Sequence, residues 1–312
     1  MPFKWPGTPS PGAKPHELAD FAELLAWDCG TTSAREIVRT LNQVGDNEQN
    51  EGCEDDEDEN TDSVDDVFLE LESRSSRCGN AYPYSLNLGQ NLEHQQIDLN
   101  NRQAIVYRYL LLCTRLNMKT NHRHAGINGT ELFEKYSAFV MRTYLGFHRA
   151  QAMVFGTSVE GGFAKKVEEL CTRLNEGGTY LPVDISGADA KDDKLDALAW
   201  VPFGDSNPGK IILFGQSKTG TSWPEQLTQS RPIDFARKWF STRNFWVEPV
   251  RALCVAESVD PDRWPSTCIS GGLLMDRSRL VEFSELIDDG IFDEIHRWTV
   301  QAKSVIPSVN KD

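Results

Sequence analysis

No run of eighteen or more apolar residues occurs in the 312-residue chain, so no segment reads as a membrane-spanning helix. The opening residues, Met1-Pro2-Phe3-Lys4-Trp5-Pro6, lack the apolar stretch of a secretory leader, and a cytoplasmic protein with no membrane partner is expected. Seven widely spaced cysteines, with no Cys-x-x-Cys among them, argue against a disulfide framework and a Cys-based zinc site. Reduced thiols are expected, with Cys113, Cys171 and Cys254 in apolar patterns that suit a core. Also absent is the Gly-x-Ser-x-Gly elbow of serine hydrolases. In Gly215-Gln216-Ser217-Lys218-Thr219-Gly220-Thr221 the lysine precedes the second glycine, which excludes a phosphate-binding loop of the ATPase type.

Positive charge is scarce: 32 Lys and Arg face 47 Asp and Glu, for a net charge of −15. That balance repels phosphates, and on its own it speaks against a nucleic-acid enzyme. The distribution reverses this. Residues 46–72 hold fourteen carboxylates and no Lys or Arg, and without them the rest of the chain stands at −1. Local basic patches therefore remain available.

Along the chain, residues 1–15 are rich in Pro and Gly and read as irregular. Leu18, Phe21, Leu24 and Leu25, then Ile37, Val38 and Leu41, predict helices within an N-terminal helical segment, 1–44. Residues 45–75 read as an acidic disordered linker, because so charged a stretch buries too little apolar surface to offset its ordering entropy. Residues 76–150 predict a helical domain, with one apolar band from Ile105 to Leu116 and a second from Leu132 to Leu145. From 151 to 312 the pattern alternates. A helix at 161–175 is followed by strand-like runs at 179–185, 195–202 and 210–215, a helix near 223–241, and strands at 250–256 and 271–275.

Two segments in this last region carry chemistry: Lys191-Asp192-Asp193-Lys194-Leu195-Asp196 and Phe214-Gly215-Gln216-Ser217-Lys218. Residues two apart in a strand share a face, so Gln216 and Lys218 point the same way. A short turn joins the Asp196 run to the Gln216 run as a hairpin, and the register decides whether the two side chains meet. Asp196 as an anionic ligand and Gln216 as a neutral carbonyl ligand would suit Mg²⁺ or Mn²⁺, with Lys218 orienting water and neutralising charge. The bland alternative is a surface ion pair beside two core strands. Downstream, Arg231, Arg237 and Lys238 interleave with aromatic residues, a pattern that fits either a DNA backbone or the wet side of an ordinary core helix.

Gly161-Gly162-Phe163, Asp193-Lys194-Leu195-Asp196-Ala197-Leu198 and Phe214-Gly215-Gln216-Ser217-Lys218 resemble the motifs of the PD-(D/E)xK nuclease superfamily, in the Mrr-like restriction endonuclease branch that uses Gln in its Q-x-K. The resemblance covers about residues 155–256. It implies an α/β fold with a restriction-endonuclease-like αβββαβ core behind an N-terminal α-helical domain. It further implies Mg²⁺- or Mn²⁺-dependent cleavage of DNA in restriction or anti-phage defence, with the Ser217 main-chain carbonyl as a further metal ligand. Two positions depart from the pattern. Ala164 stands where the family has a helix glutamate, which leaves Glu160 or Glu168 as its replacement, and Asp192-Asp193-Lys194 stand where it has glycines. A regulatory protein bound through the helical region, and a homo-oligomer, are further expectations. The rival function is a non-catalytic nucleic-acid or protein binding module on a degenerate nuclease fold.

Overall fold

The structure is a computed structural model that describes residues 3–10, 12–45, 56–87, 91–96, 98–156, 162–183 and 193–305. The periodic leucines near the N-terminus become the buried face of α1 (Pro15–Cys29). This helix begins on a proline, whose missing N–H would have had no partner there, and stops at Gly30, whose φ of +85° suits a residue without Cβ. Then come β1 (Thr31–Ser33), α2 (Ala34–Gly45), α3 (Asp56–Cys78), β2 (Tyr84–Asn87) and β3 (Asn91–His94). The three strands form a small antiparallel sheet in the order β1-β3-β2. Next are α4 (Arg102–Arg115), the two-residue strands β4 (Arg123–His124) and β5 (Ile127–Asn128), and α5 (Gly129–Gly146). Asn101 and Asn128 cap α4 and α5 through their side-chain oxygens.

The main sheet follows: β6 (Gln151–Val154), α6 (Phe163–Leu174), β7 (Ala197–Trp200), β8 (Ile212–Lys218), α7 (Pro232–Trp239), β9 (Val250–Val255), α8 (Trp264–Gly271) and β10 (Leu273–Met275). Helices α9 (Arg277–Glu282) and α10 (Asp289–Val305) complete the described chain. The sheet order is β10-β9-β8-β7-β6, antiparallel from β6 to β8 and parallel from β8 to β10. The protein is thus a mixed α/β structure with ten α-helices and a five-stranded mixed sheet among the described residues.

Side-chain alternation sorts the two faces of this sheet. Ala197, Ala199, Leu213, Ala252 and Cys254 join a large apolar core with α1, α3, α4, α5, α9 and α10. Leu198, Trp200, Ile212 and Phe214 pack instead with α6 and α7 through Phe163, Val167, Phe235 and Trp239. The small residues on the first face let α5 lie close. A Cβ on Gly215 would sit 2.6 Å from Met141 Cε and 3.0 Å from the Ala197 carbonyl. Gly215→Ala is therefore expected to destabilise the protein by about 1–3 kcal/mol in urea unfolding, since the crowding involves backbone as well as a flexible methionine.

Several sequence-based expectations are corrected here. The stretch expected as a disordered acidic linker is helical from Asp56 onward. Val64, Val67, Phe68 and Leu71 recur at helical spacing and are buried. The charge run masked this stripe, which supplies the apolar burial that the composition had appeared to lack. The boundary expected at residue 150 falls between α5 and β6, which pack on each other, and the core runs continuously from Phe3 to Ala302. The first strand of the main sheet is β6, ahead of α6 and not after it. The described part of the expected strand at 179–185 lies outside the sheet: Tyr180 bridges Phe240, and Leu181 and Val183 donate to the carbonyls of Trp239 and Lys238. The helix expected near 223–241 is a 3₁₀ turn at Trp223–Gln226 and then α7, restarted by Pro232.

One polar cluster penetrates the helical layer. Asp20 of α1 receives Arg74 Nη1 at 2.7 Å, Arg115 Nε at 2.6 Å and Arg277 Nη1 at 2.8 Å. Glu23 accepts the hydroxyls of Tyr82 (2.9 Å) and Tyr107 (2.8 Å). All five charged residues are at most 1% exposed.

Candidate active site

The site is built where the β7–β8 hairpin opens. Ala197 opposite Gly215 is the last pair in register. Just beyond it, the Asp196 amide donates to the Gly215 carbonyl at 3.0 Å, and the Asp196 carboxylate accepts from the Ser217 amide at 2.7 Å. Asp196 thus brackets the backbone of Gln216 from both sides, and the register that the sequence left open brings these two residues together. Lys218 follows two residues on, half-buried, on the strand face that Gln216 occupies.

This face lies between two apolar clusters. Leu198 and Phe214 belong to one; Leu253, Val255 and Trp223 belong to the other. In parallel register, Gln216 neighbours Leu253 and Lys218 neighbours Val255. Gln216 is only 2% exposed, and its Nε2 has no hydrogen-bond partner among the described residues. Burying an amide without a partner costs about 1–3 kcal/mol, so an acceptor placed at Nε2, from water or from a bound molecule, would be stabilising there. The Ser217 Oγ, on the opposite face, is likewise buried without a partner.

The backbone leading into Asp196 is strained. Asp193 and Lys194 have φ of +44° and +66°, a left-handed conformation that favours glycine and costs a side-chain-bearing residue on the order of 1 kcal/mol. These are the positions at which the resembled family has glycines. Asp193 does not face a metal position: its carboxylate accepts from Lys238 Nζ at 3.1 Å and Trp239 Nε1 at 2.7 Å, which anchors the loop on α7.

Of the remaining expected site residues, Glu160 lies outside the described residues, as does Asp192. Glu168 is solvent-exposed on α6. Arg231 and Arg237 are 67% and 70% exposed, each 3.7 Å from Asp234. Lys238 is half-exposed and paired with Asp193. Of the aromatic residues interleaved with them, Trp223, Phe235, Trp239 and Phe240 are core, and Trp246 is exposed.

Set beside known proteins, the chain matches no family model, no curated protein and no solved structure.

Sequence reasoning missed Glu134. It sits on α5, seven residues before Met141 and so on a similar face, and its carboxylate lies directly against Gly156, where any Cβ would overlap it. The Gly156 amide donates to the Asp196 carbonyl at 3.0 Å, and the Gly156 carbonyl accepts Lys166 Nζ of α6 at 2.5 Å. One glycine thus joins a helix glutamate, a buried lysine and the backbone of Asp196. The available signal was a carboxylate within the apolar pattern of α5, but that helix was assigned to a separate domain. Among the described residues there is no group of three or more His, Cys, Asp or Glu that could hold a metal ion. Any ion here would rest on one carboxylate and neutral oxygens.

Proposed function

We propose that the protein is a metal-dependent endonuclease that hydrolyses phosphodiester bonds in DNA. The observation that carries this reading is the convergence of Asp196 with Gln216 at the opening of a hairpin, with Lys218 next along the same strand face. The element order supports it. α5, β6, β7, β8, α7 and β9 run α, β, β, β, α, β, with three antiparallel strands and a fourth parallel to the third; α6 is an insertion after the first strand. In this arrangement the helix ahead of the first strand carries Glu134, a carboxylate against Gly156 that supports the Asp196 backbone, where Glu160 or Glu168 was expected to supply the helix glutamate.

The donor set suits a hard cation. Mg²⁺ commonly binds through one or two carboxylates, with the substrate phosphate completing the shell. Asp196, the Gln216 side-chain carbonyl and the Ser217 main-chain carbonyl would hold it, and it would supply charge stabilisation at the phosphate and at the leaving oxygen. The chain's own residues do the rest. The Ser217 amide fixes the Asp196 carboxylate in place. The Lys218 ammonium attracts the phosphate, by about 4 kcal/mol per unit charge at 4 Å and an effective dielectric near 20. It also orients the attacking water, whose oxygen bonds to phosphorus as the bridging P–O bond breaks and the departing oxygen takes up a proton.

The test is incubation of supercoiled plasmid with the protein and Mg²⁺ or Mn²⁺. Nicking that EDTA stops supports the nuclease. The second reading, a non-catalytic binding module, draws on the lack of a three-residue acidic group among the described residues. It is favoured by DNA binding that EDTA leaves unchanged and that never proceeds to cleavage.

DNA contact through Arg231 and Arg237 makes a separate prediction. Arg231→Ala with Arg237→Ala is expected to weaken binding about equally for all sequences and to reduce the slope of log affinity against log salt by about 2. An unchanged slope in fluorescence anisotropy places the DNA elsewhere.

A further inference from the structure

Beyond Lys218 the chain turns through Thr219 and Gly220 into a cavity of about 190 Å³. It lies past the carboxyl ends of the parallel strands β8 and β9, where open α/β sheets place their ligands. Trp223 and Glu257 form its inner wall, and His16, at the start of α1, a side wall. Lys14 and Arg263 contribute two cations.

The inner wall has unused hydrogen-bonding capacity. Glu257 Oε2 accepts the Trp223 indole N–H at 2.6 Å. Its Oε1 is 3.7 Å from Arg115 Nη2 and 3.9 Å from His16 Nε2, both beyond hydrogen-bond reach. Arg115, fully buried and bonded through Nε to Asp20, does not line the cavity; its Nη1 and Nη2, without hydrogen-bond partners among the described residues, lie 3.8 and 3.7 Å from Glu17 and Glu257, which do. A buried carboxylate oxygen on the cavity lining, with no donor within hydrogen-bond reach among the described residues, fits an occupant that donates to it.

The chemistry narrows what it is. A bare anion deep in the cavity would meet the carboxylates of Glu17 and Glu257, and cations are offered only by the half-exposed Lys14, 4.0 Å from Asp260, and the exposed Arg263. A bare metal ion would need a cluster of His, Cys, Asp or Glu ligands, and no such group occurs among the described residues. The volume is below the roughly 300 Å³ at which drug-sized pockets begin, so one ring system fits inside, with the remainder of a nucleotide-sized ligand at the mouth. A ligand with an amino-bearing planar ring at one end and a phosphate at the other satisfies the acceptor, the aromatic wall and the cations together.

We propose that this cavity holds a single nucleotide unit of the bound nucleic acid, with its base inward beside Trp223, its exocyclic amino group donating to Glu257 and its phosphate at Lys14 and Arg263. The proposal rests on the nuclease reading for the source of that nucleotide. It deepens that reading by giving the site a base preference: adenine, cytosine and guanine carry an exocyclic amino group, and thymine does not. The unit would be unstacked from its neighbours, as in enzymes that draw a base out of the helix.

The experiment is calorimetric titration of the full chain with the four deoxynucleoside 5′-monophosphates, in EDTA so that no hydrolysis intrudes. The amino-bearing nucleotides are expected to bind at least about tenfold more tightly than dTMP, the effect of one good hydrogen bond to a charged acceptor. Glu257→Gln should erase that preference, and the remote Lys135→Ala should leave it intact. If Glu257→Gln does not fold, Arg263→Ala serves: it should reduce the advantage of dCMP over deoxycytidine. Equal affinity for all four nucleotides, no binding at millimolar concentration, a base preference that survives Glu257→Gln, or a phosphate advantage that survives Arg263→Ala overturns the proposal. Failure of the nuclease reading registers separately, as absence of metal-dependent plasmid nicking whatever the titrations give.

Discussion

Asp196→Asn is expected to lower metal-dependent plasmid nicking by at least about a thousandfold while leaving the protein folded. Asparagine keeps an oxygen that can accept from the Ser217 amide, so the loss in unfolding free energy should stay within about 1 kcal/mol. What disappears is the single negative charge on which a divalent cation would depend, along with the charge stabilisation that preorganised groups supply at the reacting centre. Asp196→Ala is the poorer probe. It leaves the Ser217 amide without its acceptor at a site only 9% exposed, at a cost of about 1–3 kcal/mol, which confuses lost chemistry with lost structure. Lys218→Met should reduce cleavage comparably, because a methionine fills the same volume without the ammonium. Single-turnover cleavage paired with urea denaturation separates the two effects. Wild-type rates in Asp196→Asn would remove the basis for the nuclease reading.

The second large effect concerns stability. Arg277→Met is expected to cost about 3–5 kcal/mol, read as a fall in the denaturant midpoint. Arg277 is fully buried and contacts Asp20 at 2.8 and 3.1 Å, Thr114 Oγ1 at 3.2 Å and the Ala256 carbonyl at 3.0 Å. Removing it leaves part of the Asp20 charge uncompensated in a medium that cannot solvate it. The same cluster sets an acid limit. Burial alone would raise the Asp20 carboxyl, but Arg277, Arg115 and Arg74 together hold it well below the usual carboxylate range. A depressed folded value means that Asp20 contributes its full stabilisation above the ordinary carboxylate value of about 4, and that the contribution is lost as pH falls below it. The midpoint should therefore begin to drop below about pH 5 and keep falling well under the ordinary carboxylate value, and Asp20→Asn should flatten that decline.

How much of this was legible in the sequence differs from element to element. The hairpin of Asp196 and Gln216 could be read because its signals are local: two apolar runs, a Gly/Asp/Asn/Pro turn and polar residues at the ends. The placing of Asp196 opposite Gln216 could not, because pairing register is set by the packed sheet and not by either strand. Residues 179–183 have the composition of a strand, but the place beside β7 is taken by Gln151–Val154, only four residues long and too short to stand out. Acidic composition hid α3, since Val64, Val67, Phe68 and Leu71 give a clear stripe only when read at helical period through the charges. Glu134 was invisible for a different reason. Its importance comes from touching Gly156, twenty-two positions away, a contact that no motif spacing records.

The continuity of the core has a practical consequence. Ala197, Ala199, Leu213, Ala252 and Cys254 share one core with α1, α3, α4 and α5 from the first 150 residues and with α9 and α10 from the end of the described chain, and Arg277 ties Asp20 to the strand end that carries Lys218 through the Ala256 backbone. Cutting the gene at that boundary would therefore yield neither an autonomous catalytic piece nor an autonomous regulatory one, only two halves with wet, sticky faces. Deletion mapping, the usual way of assigning roles to regions, would report loss of solubility here whichever end was removed, so function in this protein has to be dissected one side chain at a time.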